Sequence, residues 1–257
     1  MHILVTNDDG VNAPGLLALA QEMRKLGQVT VLAPERNWSA SGHVKTMHRP
    51  LRVTEVILAD GTTALASDGA PSDCVALALL GLLPDSVDLV VSGINPNANV
   101  GHDVTYSGTV TAAMEAAIWG IPGLAFSLDP PGDPVEKVEY ITAARIAGKI
   151  TKQVVEQGLP KGSLLNVNIP GLLEQDIKGI LVTRQGLRVY RDQLDRRNDP
   201  RGKPYYWIGG EAPTGIPEEG TDIGALAAGY VSITPLDLDL TACEVIEKIK
   251  DWDWSDD

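Results

Sequence analysis

The chain has 257 residues, 44% of them hydrophobic, and a formal net charge of -13, a length that fits one large domain or one domain with an extension. So acidic a surface repels nucleic-acid polymers and anionic membranes and argues against both as partners. Its two cysteines, Cys74 and Cys243, lie far apart without C-x-x-C spacing, which argues against a zinc site or a disulfide framework and leaves two buried thiols in a reducing compartment as the expectation.

Met1–Val5 lacks a basic region and reads as the start of a strand rather than a signal peptide. The most apolar stretch, Val75 to Leu83, is too short to span a bilayer, so the expected location is cytoplasmic. His2–Thr6 is an apolar run ending in the polar turn Asn7-Asp8-Asp9-Gly10. Gly15–Leu26 carries apolar residues at helical spacing behind Pro14 and closes at Gly27, and Val29–Ala33 is a second buried strand. Short connections make this a parallel pair with a right-handed crossover. After the polar loop Pro34 to Met47, Leu51–Leu58 and Thr63–Ser67 read as a hairpin turning at Asp60-Gly61. Pro71–Leu83 reads as a helix, Val87–Ser92 as a third core strand, and Gly93–Tyr106 as a loop. Helices are expected over Ser107–Trp119 and Val135–Gln157, and strands over Gly123–Ser127 and Leu164–Ile169.

From Gly179 the pattern turns β-rich. Ile180–Arg184, Leu187–Arg191 and Tyr205–Gly209 read as strands, with the charged stretch Asp192–Lys203 as a mobile loop. Thr221–Ala228 reads as a short helix capped by Thr221, with Asp222 placed for the helix dipole. A strand at Tyr230–Thr234 and a helix at Thr241–Lys250 precede an acidic tail, Asp251–Asp257, expected to fray. The alternation over the first ~170 residues predicts a doubly wound α/β sheet, mostly parallel and covered on both faces. The division expected is a catalytic α/β domain over 1–178 and an arm over 179–257 that builds oligomers.

In such sheets ligands bind beyond the carboxyl ends of the strands. Asn7, Asp8, Asp9 and Asn12 follow the first strand. Arg36, Asn37, Ser39, Ser41 and His43 follow the second, and Gly93, Asn95, Asn97, Asn99, His102 and Asp103 follow the third. Adjacent aspartates point to opposite faces of a strand, so both reach one ion only if the backbone turns, as Gly10 permits. Oxygen ligands of this kind favour Mg²⁺, Mn²⁺ or Ca²⁺. The same four residues also read as a plain turn. Tyr106-Ser107-Gly108-Thr109 opens a helix whose free N–H groups could bind phosphate, or Ser107 could simply cap it. His43 and His102 are read first as surface histidines and Asp103 as ordering its loop. The chain has no P-loop, no G-x-G-x-x-G after the first strand and no G-x-S-x-G elbow, which argues against those nucleotide-binding and hydrolase classes.

The stretches ILVTNDDGVNAPGL (3–16), VLAPERNWSASG (31–42), VSGINPNANVGHDVTYSGTVTAAMEA (91–116), LNVNIP (165–170), VTRQGLRVY (182–190) and GYVSITPL (229–236) resemble the SurE (survival protein E) family of stationary-phase nucleotidases, in family order and over nearly the whole chain. The resemblance implies a Rossmann-like fold with a C-terminal arm exchanged between subunits in a homodimer or homotetramer. It implies a divalent-metal phosphomonoesterase acting on 5′- and 3′-nucleoside monophosphates, in some members also on short polyphosphate. It carries the metal ligands over to Asp8, Asp9, Ser39 and Asn95, holding one Mg²⁺ or Mn²⁺ per subunit, with Ca²⁺ acceptable in crystals. Asp8 and Asp9 are thereby the catalytic pair, and the phosphate-contacting segment falls on Ser107, Gly108 and Thr109 with Asn99 nearby. Departures are Asn97, preceded by Pro96, where the family has Gly two residues after the ligand Asn, and Thr111 and Ala116 where Gly is common. Two rivals follow from the residues. One is a phosphatase forming an aspartyl phosphate on Asp8 or Asp9, though such enzymes carry D-x-D. The other is a metal- or nucleotide-binding regulator without turnover.

Overall fold

Successive side chains of a strand face opposite ways, so the first strand, β1 (His2–Thr6), sends Ile3 and Val5 into one layer and Leu4 into the other, all three without exposure. In the computed structural model, which describes residues 1–130 and 139–254, that strand is the fourth in a nine-stranded sheet, with strands on both sides. The chain runs on through α1 (Pro14–Met23), β2 (Gln28–Pro34), β3 (Val53–Ile57), β4 (Thr63–Ser67), α2 (Pro71–Leu77), β5 (Leu89–Asn95), α3 (Gly108–Ile118), β6 (Gly123–Asp129), α4 (Ile141–Gln157) and β7 (Ser163–Pro170). It closes with β8 (Ile180–Val182), β9 (Arg188–Asn198), β10 (Pro204–Gly215), α5 (Asp222–Ala227), β11 (Val231–Asp237) and α6 (Cys243–Lys250).

The sheet order is β3-β4-β2-β1-β5-β6-β7-β11-β8. Strands β4, β2, β1, β5, β6 and β7 are parallel, β3 is antiparallel to β4, and β11 is antiparallel to β7. On one face Ile3, Val5, Val91 and Phe126 pack with Leu16, Leu19 and Met23 of α1 and Ala143, Ile146 and Ile150 of α4. On the other, Leu4, Leu32 and Val90 pack with Cys74 and Val75 of α2 and Ala112 and Ala116 of α3. The doubly wound expectation is met, with Pro14 and Pro71 at the starts of α1 and α2, where a missing N–H costs nothing.

Residues after 178 contribute strands to two sheets: β8 and β11 complete the main sheet, while β9 and β10, among the described residues, pair with each other alone in a long antiparallel hairpin. The charged stretch expected to be a mobile loop is mostly strand, because Asp192 to Asn198 pair with Gly210 to Pro204 and only the turn between is left as loop. The expectation of two buried thiols is also corrected: Cys74 is buried, but Cys243 is exposed, since α6 buries no residue. Helix α4 begins at Ile141 among the described residues; the start expected at Val135 lies outside them, as does the end of the acidic tail.

Candidate active site

The sheet order reverses between β1 and β5, because the chain adds β2 on one side of β1 and β5 on the other. A crevice forms at such a point beyond the carboxyl ends of the strands, and Asp8 and Asn95 stand at those two ends. The turn after β1 is locked by Asn7. Its Nδ2 donates to the Gly10 carbonyl (3.1 Å) and its Oδ1 accepts from the Gly10 N–H (3.2 Å). Gly10 takes φ +106°, which the turn requires.

Asp8 is only 3% exposed. The Thr109 hydroxyl donates to its Oδ1, and Gly108 lies flat against it: a Cβ at 108 would stand 2.6 Å from the Asp8 Cβ. Burial pushes the Asp8 carboxyl above the usual range, opposed by hydrogen bonds from the Thr109 side chain and from the backbone of residues 8, 109 and 108. Asp9 is half-buried, and burial together with the charge of Asp8 pushes it up to about 7. No basic side chain among the described residues pairs with either carboxylate. Two desolvated anions side by side without a counter-charge are costly, and a divalent cation is the partner that relieves both. The donor set fits a hard ion: beside the carboxylate pair, Ser39 and Asn95 on the neighbouring loops offer neutral oxygens, as sites for Mg²⁺ commonly use with water.

Ser39 reaches this edge because the Trp38 N–H donates to the Asp8 carbonyl (2.7 Å), pinning the loop after β2 beside the turn after β1. Its own N–H donates to Asn37 Oδ1 (2.8 Å), and the side chain is exposed. Asn95 ends β5, which runs three residues further than expected, and its Nδ2 donates to the Asn97 carbonyl. Asn99 turns inward instead. Its Nδ2 donates to Ser127 Oγ (2.7 Å) and its N–H to Asn168 Oδ1 (2.8 Å), while its carbonyl accepts from Asn166 and Asn168. Ser107 caps α3, its Oγ accepting the Val110 N–H (3.2 Å). The expected phosphate segment is thus occupied here in capping α3 and holding Asp8.

Three residues near the site, Glu115, Asp222 and Tyr140, have no role in it assigned from the sequence. Glu115, one face of α3, is buried and accepts from His43 Nε2 (2.9 Å), Lys45 (3.1 Å) and Trp119 Nε1 (3.1 Å), which ties the Ser39 loop to α3. Asp222 does more than face a helix dipole. Fully buried, it accepts the N–H groups of Gly101 (2.8 Å), Gly186 (2.7 Å) and Ile223 (2.8 Å), fixing the loop between Asn99 and Ser107. Tyr140 lines a cavity that also opens on Asp9, and burial with the Asp9 charge pushes its phenol up to about 12. The apolar runs that define elements give no sign of such side chains.

The family model described as Survival protein SurE matches residues 3–192. A Herpetosiphon aurantiacus protein named 5′-nucleotidase SurE is 52% identical over 255 residues, covering 99% of each chain. A Chloroflexus aggregans protein of the same name is 51% identical over 254 residues, covering 99% of this chain and 100% of its own. The crystal structure of the SurE protein from Aquifex aeolicus matches with a TM-score of 0.81 at 44% identity, covering 97% of this chain and 98% of that one. With its six quoted stretches in family order and its whole length matched in sequence and in fold, this chain belongs to the SurE family.

Proposed function

We propose that this chain is a divalent-metal-dependent 5′-nucleotidase, a phosphomonoesterase that converts nucleoside monophosphates to nucleoside and phosphate. The observation that carries the reading is the uncompensated pair Asp8 and Asp9 at the reversal point of the sheet; its relatives named 5′-nucleotidase agree with it. Asp8, Asp9, Ser39 and Asn95 would hold one Mg²⁺ or Mn²⁺. Such an ion supplies Lewis acidity toward a phosphoryl oxygen and a more acidic bound water.

The chain's own residues do the positioning. The Thr109 hydroxyl and the N-terminal end of α3 favour ionised Asp8, the form that ligates. Ser39 and Asn95 add oxygens without adding charge, so a phosphate dianion is not repelled further. Asn99, Ser107, Gly108 and Thr109 are assigned to the phosphate side of the site, supported by the family resemblance and by the contact of Thr109 and Gly108 with Asp8. Adjacent aspartates after the first strand, in place of the D-x-D carried by aspartyl-phosphate enzymes, favour water over an aspartyl phosphate. The assembly assigned is a homodimer built by the arm, supported by apolar side chains left bare along β9, β10 and α6.

The test is phosphate release from AMP and other mononucleotides, each with Mg²⁺, Mn²⁺ or EDTA. Turnover should need the ion, and Asp8→Asn should lower it ~10²-fold or more, the scale of a lost electrostatic contact at a reacting centre. Full activity of Asp8→Asn in protein stripped of ions, or phosphate trapped on the chain after an acid quench, would overturn the mechanism.

A further inference from the structure

Beside Asp9 a cavity of about 420 Å³ is lined by Asn12, Glu35, Asn37, Pro96 and Tyr140 as well as Asp9 itself. Its size is that of a small-molecule site, commonly ~300–1,000 Å³. Its chemistry excludes a second phosphate: no described lining residue is basic, and Asp9 and Glu35 are carboxylates. What it offers instead is an aromatic ring, a proline face, two amides and a carboxylate that can accept from hydroxyl or amino groups. That set suits a flat, uncharged group bearing N–H and O–H donors.

The ring is held in place by close packing. A Cβ at Gly15 would stand 2.9 Å from Tyr140 Cε1 and 2.2 Å from the Ile94 carbonyl oxygen, so Tyr140 and the end of β5 close on the same bare turn of α1. The aromatic wall is therefore fixed relative to β5, the strand that ends in Asn95.

We propose that this cavity takes the nucleoside part of the substrate, its base against Tyr140 and Pro96 and its donors toward Asn12, Asn37 and Glu35, so that Tyr140 sets the preference for nucleotides over simpler phosphate esters. The proposal rests on the nucleotidase reading of the same site. It places Pro96, the residue before this chain's departure from the family pattern at Asn97, where it shapes base preference.

The experiment compares AMP with ribose 5-phosphate, the same ester without a base, on the metal-loaded full chain, together with calorimetric titration of adenosine. Tyr140→Ala should raise KM for AMP about tenfold, the scale of a lost base–aromatic stack, and leave ribose 5-phosphate within about twofold. Tyr140→Phe should behave as the parent, and adenosine should bind the parent and Tyr140→Phe but weaken about tenfold in Tyr140→Ala. Equal losses on both substrates, or unchanged AMP kinetics and adenosine binding in Tyr140→Ala, would overturn the assignment. If the parent hydrolyses neither ester, the nucleotidase reading fails, and adenosine binding alone then decides the cavity: loss in Tyr140→Ala supports it, and no binding to the parent ends it.

Discussion

At position 108 an added methyl would stand 2.6 Å from the Asp8 Cβ and 3.0 Å from its Oδ2. On an exposed helix, replacing glycine with alanine stabilises by roughly 1 kcal/mol. Here the new carbon must displace the carboxylate that Thr109 holds. Gly108→Ala is therefore expected to keep its fold while Mn²⁺ affinity falls ~10-fold or more, the usual cost of disturbing the partners of a ligand. Calorimetric titration checks it, and unchanged affinity would mean that the packing of α3 does not set the Asp8 position. The turn holding Asp8 and Asp9 was legible in the sequence because Asp-Gly follows a buried strand, whereas their part as a ligand pair came from the family resemblance. The hold that Thr109 and Gly108 have on Asp8 was not, since 101 residues separate a hydroxyl from the carboxylate it meets.

The loop carrying Ser39 is joined to α3 by the buried Glu115 carboxylate and by the Thr111 hydroxyl, which donates to the Gly42 carbonyl (3.2 Å). Burial opposes ionisation of Glu115, yet hydrogen bonds from His43, Trp119 and Lys45 outweigh it and bring the carboxyl down to about 2. A group whose folded pKa lies below its unfolded value of 4.5 contributes stability that is present above that value and lost as pH falls toward 2. Glu115→Gln should thus be less stable than the parent at pH 7, and its stability should change less between pH 4.5 and 2; urea unfolding at a series of pH values measures both. Parallel pH curves for the two proteins would remove Glu115 as the titrating anchor. Elements with an apolar side were legible in the sequence: β1, β2, β6 and β7 are buried runs, and α5 carries its Thr221 cap. The first part of β9 was legible as the strand at Leu187–Arg191, but its continuation from Asp192 was not, because Asp192, Asp195, Arg196 and Arg197 give it no apolar face and it pairs, among the described residues, with β10 alone.

A chain of net charge -13 places six basic residues, Arg188, Arg191, Arg196, Arg197, Arg201 and Lys203, against four acidic ones, Asp192, Asp195, Asp199 and Glu211, on one hairpin of net charge +2. The same hairpin leaves Leu194, Tyr206 and Trp207 exposed and Ile208 84% exposed, and beyond the main sheet Leu240, Trp252 and Trp254 are bare as well. Apolar patches of this extent mark interaction surfaces, and a locally positive arm on an acidic body is complementary to a second copy of that body. In the isolated chain Ile208 packs on little, so Ile208→Asp should barely change the stability of a monomer. In the proposed homodimer the same change puts a charge into an apolar contact, and dissociation should strengthen by ~10-fold or more, as at other central interface positions. Sedimentation equilibrium over a concentration series separates the two. A parent that sediments as a monomer, or a variant with the parent's association constant, would leave this hairpin without a role in assembly. Added salt should weaken association of the parent if the basic side chains contribute through their charge, since at about 0.1–0.15 M ionic strength exposed charges are screened over about 8–10 Å.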